Sequence, residues 1–439
     1  MKTILANSRH DENAVEGNRC TNSRNPAHGT SVTLLTGGGD KPYVLGLAAA
    51  LIEKGISLDL VGSDELDLEQ FRSSPSVRFL NLRGNQRGDA ASSVKVRRVL
   101  AYYLRLFRYA VTAQPKIFHI LWHNKFLAFD RTLLMLYYKI LGKKIIFTAH
   151  NVNAGKRDNS DTIFNRLTLR AQYRLANHTF VHTTKMKDEL VKDFNVPAHR
   201  ITVIPFGVNN ASPNTNRSRR EAKLQLGITD EKKNILFFGN ITPYKGLEHL
   251  VCAFQESSRQ RRDIRLIIAG RPTNCDKYWT AIQDLMSEQV RTGQILVRAE
   301  HIPDQEMELY FKAADVLVLP YIHVYQSGVL FTSYNFGLPV LAADVGSLRE
   351  DVVEGETGFI FKPEDPTDLA KSIERYFRSD LFADLDMRRS EIREYAMKRN
   401  SWEIAGQLTR DVYLKLLGSS CSDRVPSPAN AARSSAQRR

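Results

Sequence analysis

Short apolar runs alternate with amphipathic stretches along most of the chain. The run Ser31–Leu35 enters Gly37-Gly38-Gly39, after which Val44, Leu47, Ala48, Leu51 and Ile52 recur at helical spacing until Gly55, and a second run covers residues 56–61. Strand, glycine turn, helix and strand form a βαβ unit, the first step of a doubly wound parallel sheet. Runs at 117–121 and 144–148 continue that sheet, and runs at 180–184 and 203–208 are expected to close it. A polar segment at 209–220, containing Pro213, has the composition of a hinge. The pattern then starts again. Apolar runs at 235–238, 266–269, 316–319 and 340–342 read as strands of a second sheet, with a helix from about Tyr278 to Gln289 between two of them.

Two further patterns bear on the surface. Val96, Val99, Leu100, Tyr103, Leu104 and Phe107 keep helical spacing, while Arg97, Arg98, Arg105 and Arg108 gather on the other side. This predicts a helix packed through its apolar side, with a basic side turned to solvent or to an anionic membrane surface. The stretch from Leu133 to Leu141 is too short to span a bilayer and reads as a core helix.

Chemistry concentrates where strands end. The run 235–238 goes straight into Gly239-Asn240-Ile241-Thr242-Pro243-Tyr244-Lys245-Gly246, and Leu247, Leu250, Val251 and Phe254 then mark a helix. A phosphate is expected at that helix start, met by unpaired backbone N–H groups and the ammonium of Lys245. The run 144–148 ends at His150, on the carboxyl edge of a parallel strand, where open α/β sheets bind ligands. His119 and His123 flank another strand and read as satisfied structural histidines.

These motifs resemble the nucleotide-sugar-dependent glycosyltransferases of family 4, and the likeness extends over most of the chain. It implies an α/β fold of two Rossmann-like doubly wound domains facing a cleft, the GT-B architecture. An acceptor-side domain is expected at 30–210, a donor-binding domain at 211–400, and a helix at 401–417 that returns to the first domain through Trp402. Residues 1–29 and the Ser-, Ala-, Pro- and Arg-rich 418–439 read as disordered. In the family a Gly-Arg turn and a Lys-Gly pair hold the donor diphosphate. Gly239, Lys245 and Gly246 match, and Asn240 stands where arginine is usual, with Arg271 a candidate replacement cation. The family's donor loop corresponds to Gln326, Ser327, Gly328, Val329, Leu330 and Thr332, but its two glutamates fall on Val324 and Thr332. Gly37, Gly38 and Gly39 match a glycine-rich loop facing the phosphates and acceptor, and His150 matches a histidine that contacts the transferred sugar.

Composition narrows the classes without choosing among them. The 439 residues are 42 % hydrophobic and 25 % charged, ordinary for a protein of two cores, and no run of about 18 apolar residues predicts a membrane span. Without the apolar core of a signal peptide, the chain is expected in the cytoplasm, with peripheral placement at the inner face of the membrane left open. Cys20, Cys252, Cys275 and Cys421 lack metal-type spacing, and Asp384-Leu385-Asp386 lies in a helical region away from strand ends, so no metal and no cofactor is expected. The net charge of +14 fits an anionic substrate or surface, and no sequence motif supports nucleic acid as partner. The glycine spacing is not GxGxxG, which disfavours a nicotinamide enzyme. The resulting reading is transfer of a sugar from a nucleoside diphosphate sugar to a saccharide or lipid-linked saccharide. A sugar-nucleotide epimerase and a non-catalytic carbohydrate-binding protein stay open as alternatives.

Overall fold

The computed structural model describes residues 29–86, 92–158, 160–207, 214–229 and 231–418. The expected disordered ends, 1–29 and 418–439, therefore lie almost wholly outside the described residues. Two all-parallel sheets carry the fold. The first contains β1 (Ser31–Leu35), β2 (Ser57–Gly62), β3 (Val77–Asn81), β4 (Ile117–Ile120), β5 (Lys144–Thr148), β6 (His178–Val181) and β7 (Ile201–Val203), in the order β3-β2-β1-β4-β5-β6-β7. The second contains β8 (Lys233–Phe238), β9 (Ile264–Ala269), β10 (Ile295–Arg298), β11 (Val316–Leu319), β12 (Val340–Ala343) and β13 (Gly358–Phe361), in the order β10-β9-β8-β11-β12-β13.

Central strands such as β9 and β12 are buried at every position, as sheets covered by helices on both faces require. In each sheet the order reverses once, between β1 and β4 and between β8 and β11. A crevice opens at the carboxyl ends of such strands, because the two flanking connections leave for opposite faces. Gly37 to Gly39, Gly239 and the loop after β11 all sit at these reversals.

Three boundaries differ from expectation. The strand expected at 203–208 lies at Ile201–Val203, because Pro205 has no N–H to give a ladder. The one expected at 180–184 ends at Val181, since the Thr183 side chain accepts from Met186 N and starts the helix Thr184–Phe194. In the expected hinge, residues 214–218 are fastened: Thr215 bonds Glu308 through N and Oγ1, Arg217 pairs with the same carboxylate, and Ser218 and Glu221 form a capping box.

The helix Trp402–Leu417 packs on Lys41–Glu53 beside the first sheet. Its indole is wedged between Gly46 and Gly207, where a Cβ on either would lie 2.1 Å from a ring atom. From the same helix the Tyr413 hydroxyl bonds His119 Nδ1 at 2.6 Å, and Thr148 Oγ1 takes the other ring nitrogen at 2.7 Å. His123 bonds Gln172 at 2.8 Å. Both are satisfied structural histidines.

Candidate active site

Lys245 is the central feature of the cleft between the two sheets. Residues 243–245 form a short turn after β8, and Gly246 closes it at φ +62°, where a Cβ would collide with Pro320 O at 2.1 Å. This turn folds the Lys245 side chain back beneath the end of β8, so that a Cβ on Gly239 would sit 2.9 Å from Nζ. The residue is 7 % exposed, and among the described residues no acid or acceptor bonds Nζ. The Tyr321 ring, 5.5 Å away, is its only recorded companion among them. Burial brings its pKa down to about 8. A buried cation without counter-charge, opening into a cleft, is costly unless an anion comes to it.

The cleft holds about 1190 Å³ of space open to solvent, and Gly239, Asn240, Lys245 and Arg271 form one wall. Gly328, Val329 and Thr332 form the next, at the start of the helix Gly328–Asn335. Leu330 N already donates to Ser327 O, while the N–H groups of Gly328 and Val329 at the helix start have no helical partner and carry the positive end of the helix dipole. Two expectations need correction here. The helix Leu247–Gln260 offers no free first N–H, since Leu247 N donates to Tyr278 Oη, whose hydroxyl is held by Glu248. Leu330 faces the core with no exposure. Ser327 is buried with Oγ near Tyr321 Oη, and Gln326 Oε1 is buried without a partner. Thr332, in place of a glutamate, spends its hydroxyl on Gly328 O at 3.0 Å, and Val324 is buried. Asp386 lies at an ion pair with Arg219, away from this cleft.

On the first-sheet side the cleft wall is Asp40, Tyr43, Phe206 and Trp402. None of these four was singled out as a ligand-facing residue from sequence. Asp40 and Tyr43 share one helix start while Phe206 and Trp402 come from elsewhere in the chain, and only Asp40, before the helix that follows the glycines, carries a local signal as an N-cap, accepting from Tyr43 N at 3.0 Å. His150 sits one layer behind. Its ring stacks on Trp122 at 4.0 Å and 5°, and Tyr43 meets it edge-on at 4.6 Å. The glycine loop is also withdrawn from the cleft: a Cβ on Gly39 would fall inside the Trp122 ring, one on Gly37 on the Trp122 carbonyl, and one on Gly38 on the Arg83 guanidinium. Close packing thus accounts for the glycines.

The protonation of His150 follows from its neighbours. Ile204 O can only accept, so His182 Nδ1 carries hydrogen toward it at 3.3 Å. Burial takes the His182 pKa down to about 4, so its Nε2 is a bare acceptor, and it receives hydrogen from His150 Nδ1 at 3.1 Å. Burial, reinforced by His182 and His119, holds His150 well below the ordinary imidazole range. Nε2 of His150 is thereby a lone pair, buried and without a partner. It suits a hydroxyl donor. Because burial also lowers His119 to about 3 and His123 and His178 to about 4, the folded state binds fewer protons than the unfolded chain below pH 6.5. Stability, full above pH 6.5, should fall by up to about 1.4 kcal/mol per pH unit for each group as pH drops toward these values. Urea midpoints between pH 8 and 4.5 check this, and a flat profile below 6.5 would contradict it.

The comparisons with known proteins agree with this geometry. Residues 37–212 match the family described as Glycosyltransferase Family 4, and residues 232–379 match Glycosyl transferases group 1. The chain belongs to the family 4 glycosyltransferases. This family 4 chain is 25 % identical over 343 residues to a D-inositol 3-phosphate glycosyltransferase of Corynebacterium glutamicum, covering 75 % of this chain and 81 % of that protein. Against the Corynebacterium efficiens protein of the same name, identity is 22 % over 410 residues, covering 90 % and 95 %. In fold it is similar to sucrose-phosphate synthase from Thermosynechococcus elongatus, with a TM-score of 0.71, 20 % identity, and coverage of 89 % of this chain and 100 % of that one. Anabaena HepE, solved in complex with UDP-glucose, gives a TM-score of 0.67 at 15 % identity, with the same coverage. The two doubly wound domains of this glycosyltransferase are therefore the GT-B architecture.

Proposed function

We propose that the protein transfers a sugar from a nucleoside diphosphate sugar to a hydroxyl of a saccharide or lipid-linked saccharide, retaining the anomeric configuration and without a metal ion. The observation that carries this is Lys245, a buried and uncompensated cation at a sheet reversal. In this reading Lys245 and the N–H groups of Gly328 and Val329 take the diphosphate, with Arg271 supplying the charge that Asn240 does not. Gly239 and Gly246 give the turn its shape, and Gln326, Ser327, Leu330 and Thr332 hold the donor loop. As the bond from the anomeric carbon to the diphosphate breaks, the acceptor oxygen bonds that carbon and its proton passes to the departing phosphate. Charge builds on the leaving group, where fixed cations and N–H dipoles in a water-poor cleft act most strongly. His150 Nε2 accepts from a hydroxyl of the transferred sugar, which needs Tyr43 and Trp122 to give way. Gly37, Gly38 and Gly39 let that movement reach the acceptor side. The place of work is the cytoplasm, at the inner face of the membrane, and among the described residues no helix is long and apolar enough to cross one.

Nucleoside diphosphate release, with and without acceptors, tests the function. Turnover is expected to survive EDTA, to fall strongly in His150→Ala, and to give a product whose anomeric coupling by NMR matches the donor's. An inverted product would reject the retaining mechanism, and rescue by Mn²⁺ after complete loss in EDTA would reject metal independence. The burial of Val324 and the internal bond of Thr332 favour one second reading, a carbohydrate-binding protein without catalysis. Donor binding with no product from any acceptor would select it.

A further inference from the structure

The first domain exposes far more apolar surface than the second. Among the described residues nineteen large apolar side chains are exposed, and twelve of them lie between residues 96 and 167. Eleven come from three helical stretches, Ser92–Thr112, residues 127–140 and Ile163–Leu175, and the twelfth, Phe126, directly precedes the second. The stretches form one continuous surface. Phe107 and Tyr137 join the first two through a ring contact at 4.9 Å and a bond from Tyr137 Oη to Phe107 O, and Arg131 donates to Asn165 to join the third.

This corrects the two expectations made for these helices. On Ser92–Thr112 the packed side is Tyr102, Tyr103, Leu106 and Ala110, while Val96, Leu100 and Leu104 point outward at 59 %, 56 % and 64 % exposure. They share that outer side with exposed Arg97, Arg105 and Arg108. The stretch read as a core helix buries Leu134, Met135 and Tyr138 but leaves Ile140 75 % exposed, and Ile163 on the third helix is 81 % exposed. A face this large is rare on a protein that leaves it in water.

Charge indicates what covers it. Residues 92–176 contain sixteen Lys and Arg against three Asp, a net of +13 where the whole chain carries +14. The helix Ser92–Thr112 has no acidic residue at all. Among the described residues Arg97, Arg108, Arg170 and Arg174 have no acidic partner. At the start of this helix a recess brings Arg83, Lys95, Arg98 and Lys125 together, and Arg83 reaches from there to Gly38. Apolar side chains interleaved with unpaired cations on one outward face match a layer whose surface is anionic and whose interior is hydrocarbon.

We infer that this three-helix face is a docking surface for an anionic lipid bilayer, with Val96, Leu100, Leu104, Ile140 and Ile163 entering the acyl boundary and the recess taking headgroup phosphate. Docking there places the glycine loop and the cleft beside the membrane. The inference does not depend on which acceptor the cleft serves.

Co-sedimentation of the full chain with phosphatidylcholine vesicles, and with vesicles of phosphatidylcholine and phosphatidylglycerol at 7:3, tests it. Binding to the anionic vesicles in 0.1 M salt is expected, at least tenfold tighter than to the zwitterionic ones. Combined neutralisation by Arg97→Gln, Arg105→Gln and Arg108→Gln should weaken it about fivefold per charge removed. The triple variant Leu100→Ser, Leu104→Ser and Ile163→Ser should lose at least tenfold while keeping its circular dichroism. A readout on the intact face comes from Leu104→Trp, whose emission should shift to the blue on anionic vesicles, whereas that of Met387→Trp on the second domain should not. Absence of binding to anionic vesicles, an unshifted Leu104→Trp, or a dimer in sedimentation velocity that the serine variant dissolves would each overturn the proposal, the last by assigning the face to a second copy of the chain.

Discussion

Lys245→Met should make the protein more stable and nearly unable to use its donor. The pKa of Lys245 is held near 8, against an ordinary 10.5, so the folded state binds this proton less tightly than the unfolded chain does. Stability from this group is therefore fully reduced below pH 8 and recovers as pH rises toward 10.5. At pH 7 the penalty is about 3 kcal/mol, and methionine, similar in length and uncharged, removes it. The same substitution deletes a charge-assisted contact to phosphate, for a loss of about 10- to 150-fold in donor affinity. In the unmodified protein affinity should fall as pH rises through about 8, and in the variant it should not. Urea unfolding and calorimetric titration with a nucleoside diphosphate sugar read both effects. A destabilised variant that binds the donor normally would show that the lysine is structural and the anion site lies elsewhere.

Trp402→Ala should loosen the attachment of the last helix to the first domain. The indole fills the space between Gly46 and Gly207 and meets the Tyr43 ring at 5.1 Å, so its removal leaves a cavity that neither glycine can fill. Because the ring is half-buried and also lines the cleft, the cost should be about 2–3 kcal/mol, below that of a fully buried tryptophan. Limited proteolysis should then cut within residues 402–417 first. Gly46→Ala, which places a methyl where the ring lies, should reproduce the effect with the tryptophan present. A change in stability below about 0.5 kcal/mol in both variants would mean that the helix is held without this wedge.

The central strands were legible because each is a continuous apolar run ending on a glycine or a polar turn, and such runs mean the same thing in any sheet covered on both sides. The outer strands β3, β10 and β13 were not read: exposed edge positions such as Arg78 and Arg298 break the run in the first two, and the apolar residues of β13, Phe359 to Phe361, make a run of only three. Lys245 was legible because strand, turn and helix are contiguous around it. The surroundings of His150 were not, because Tyr43, Trp122, His182 and Phe206 come from four elements, and no spacing in the chain encodes their meeting. For the helix Ser92–Thr112 the periodicity correctly identified an apolar arc. It could not say that only part of that arc is packed, because that depends on how wide a neighbouring surface the fold provides.

The bond from Tyr413 to His119 spans 294 residues, and it has a consequence for synthesis. The first sheet leaves the ribosome early, yet its buried histidine and the helix face around Gly46 and Ala50 stay without their partners until residues 402–417 have emerged. By then the whole second sheet has been made and can have folded on its own core. The nascent chain therefore carries an unfinished first domain through most of its translation, and the domain that begins folding first is the last to be completed.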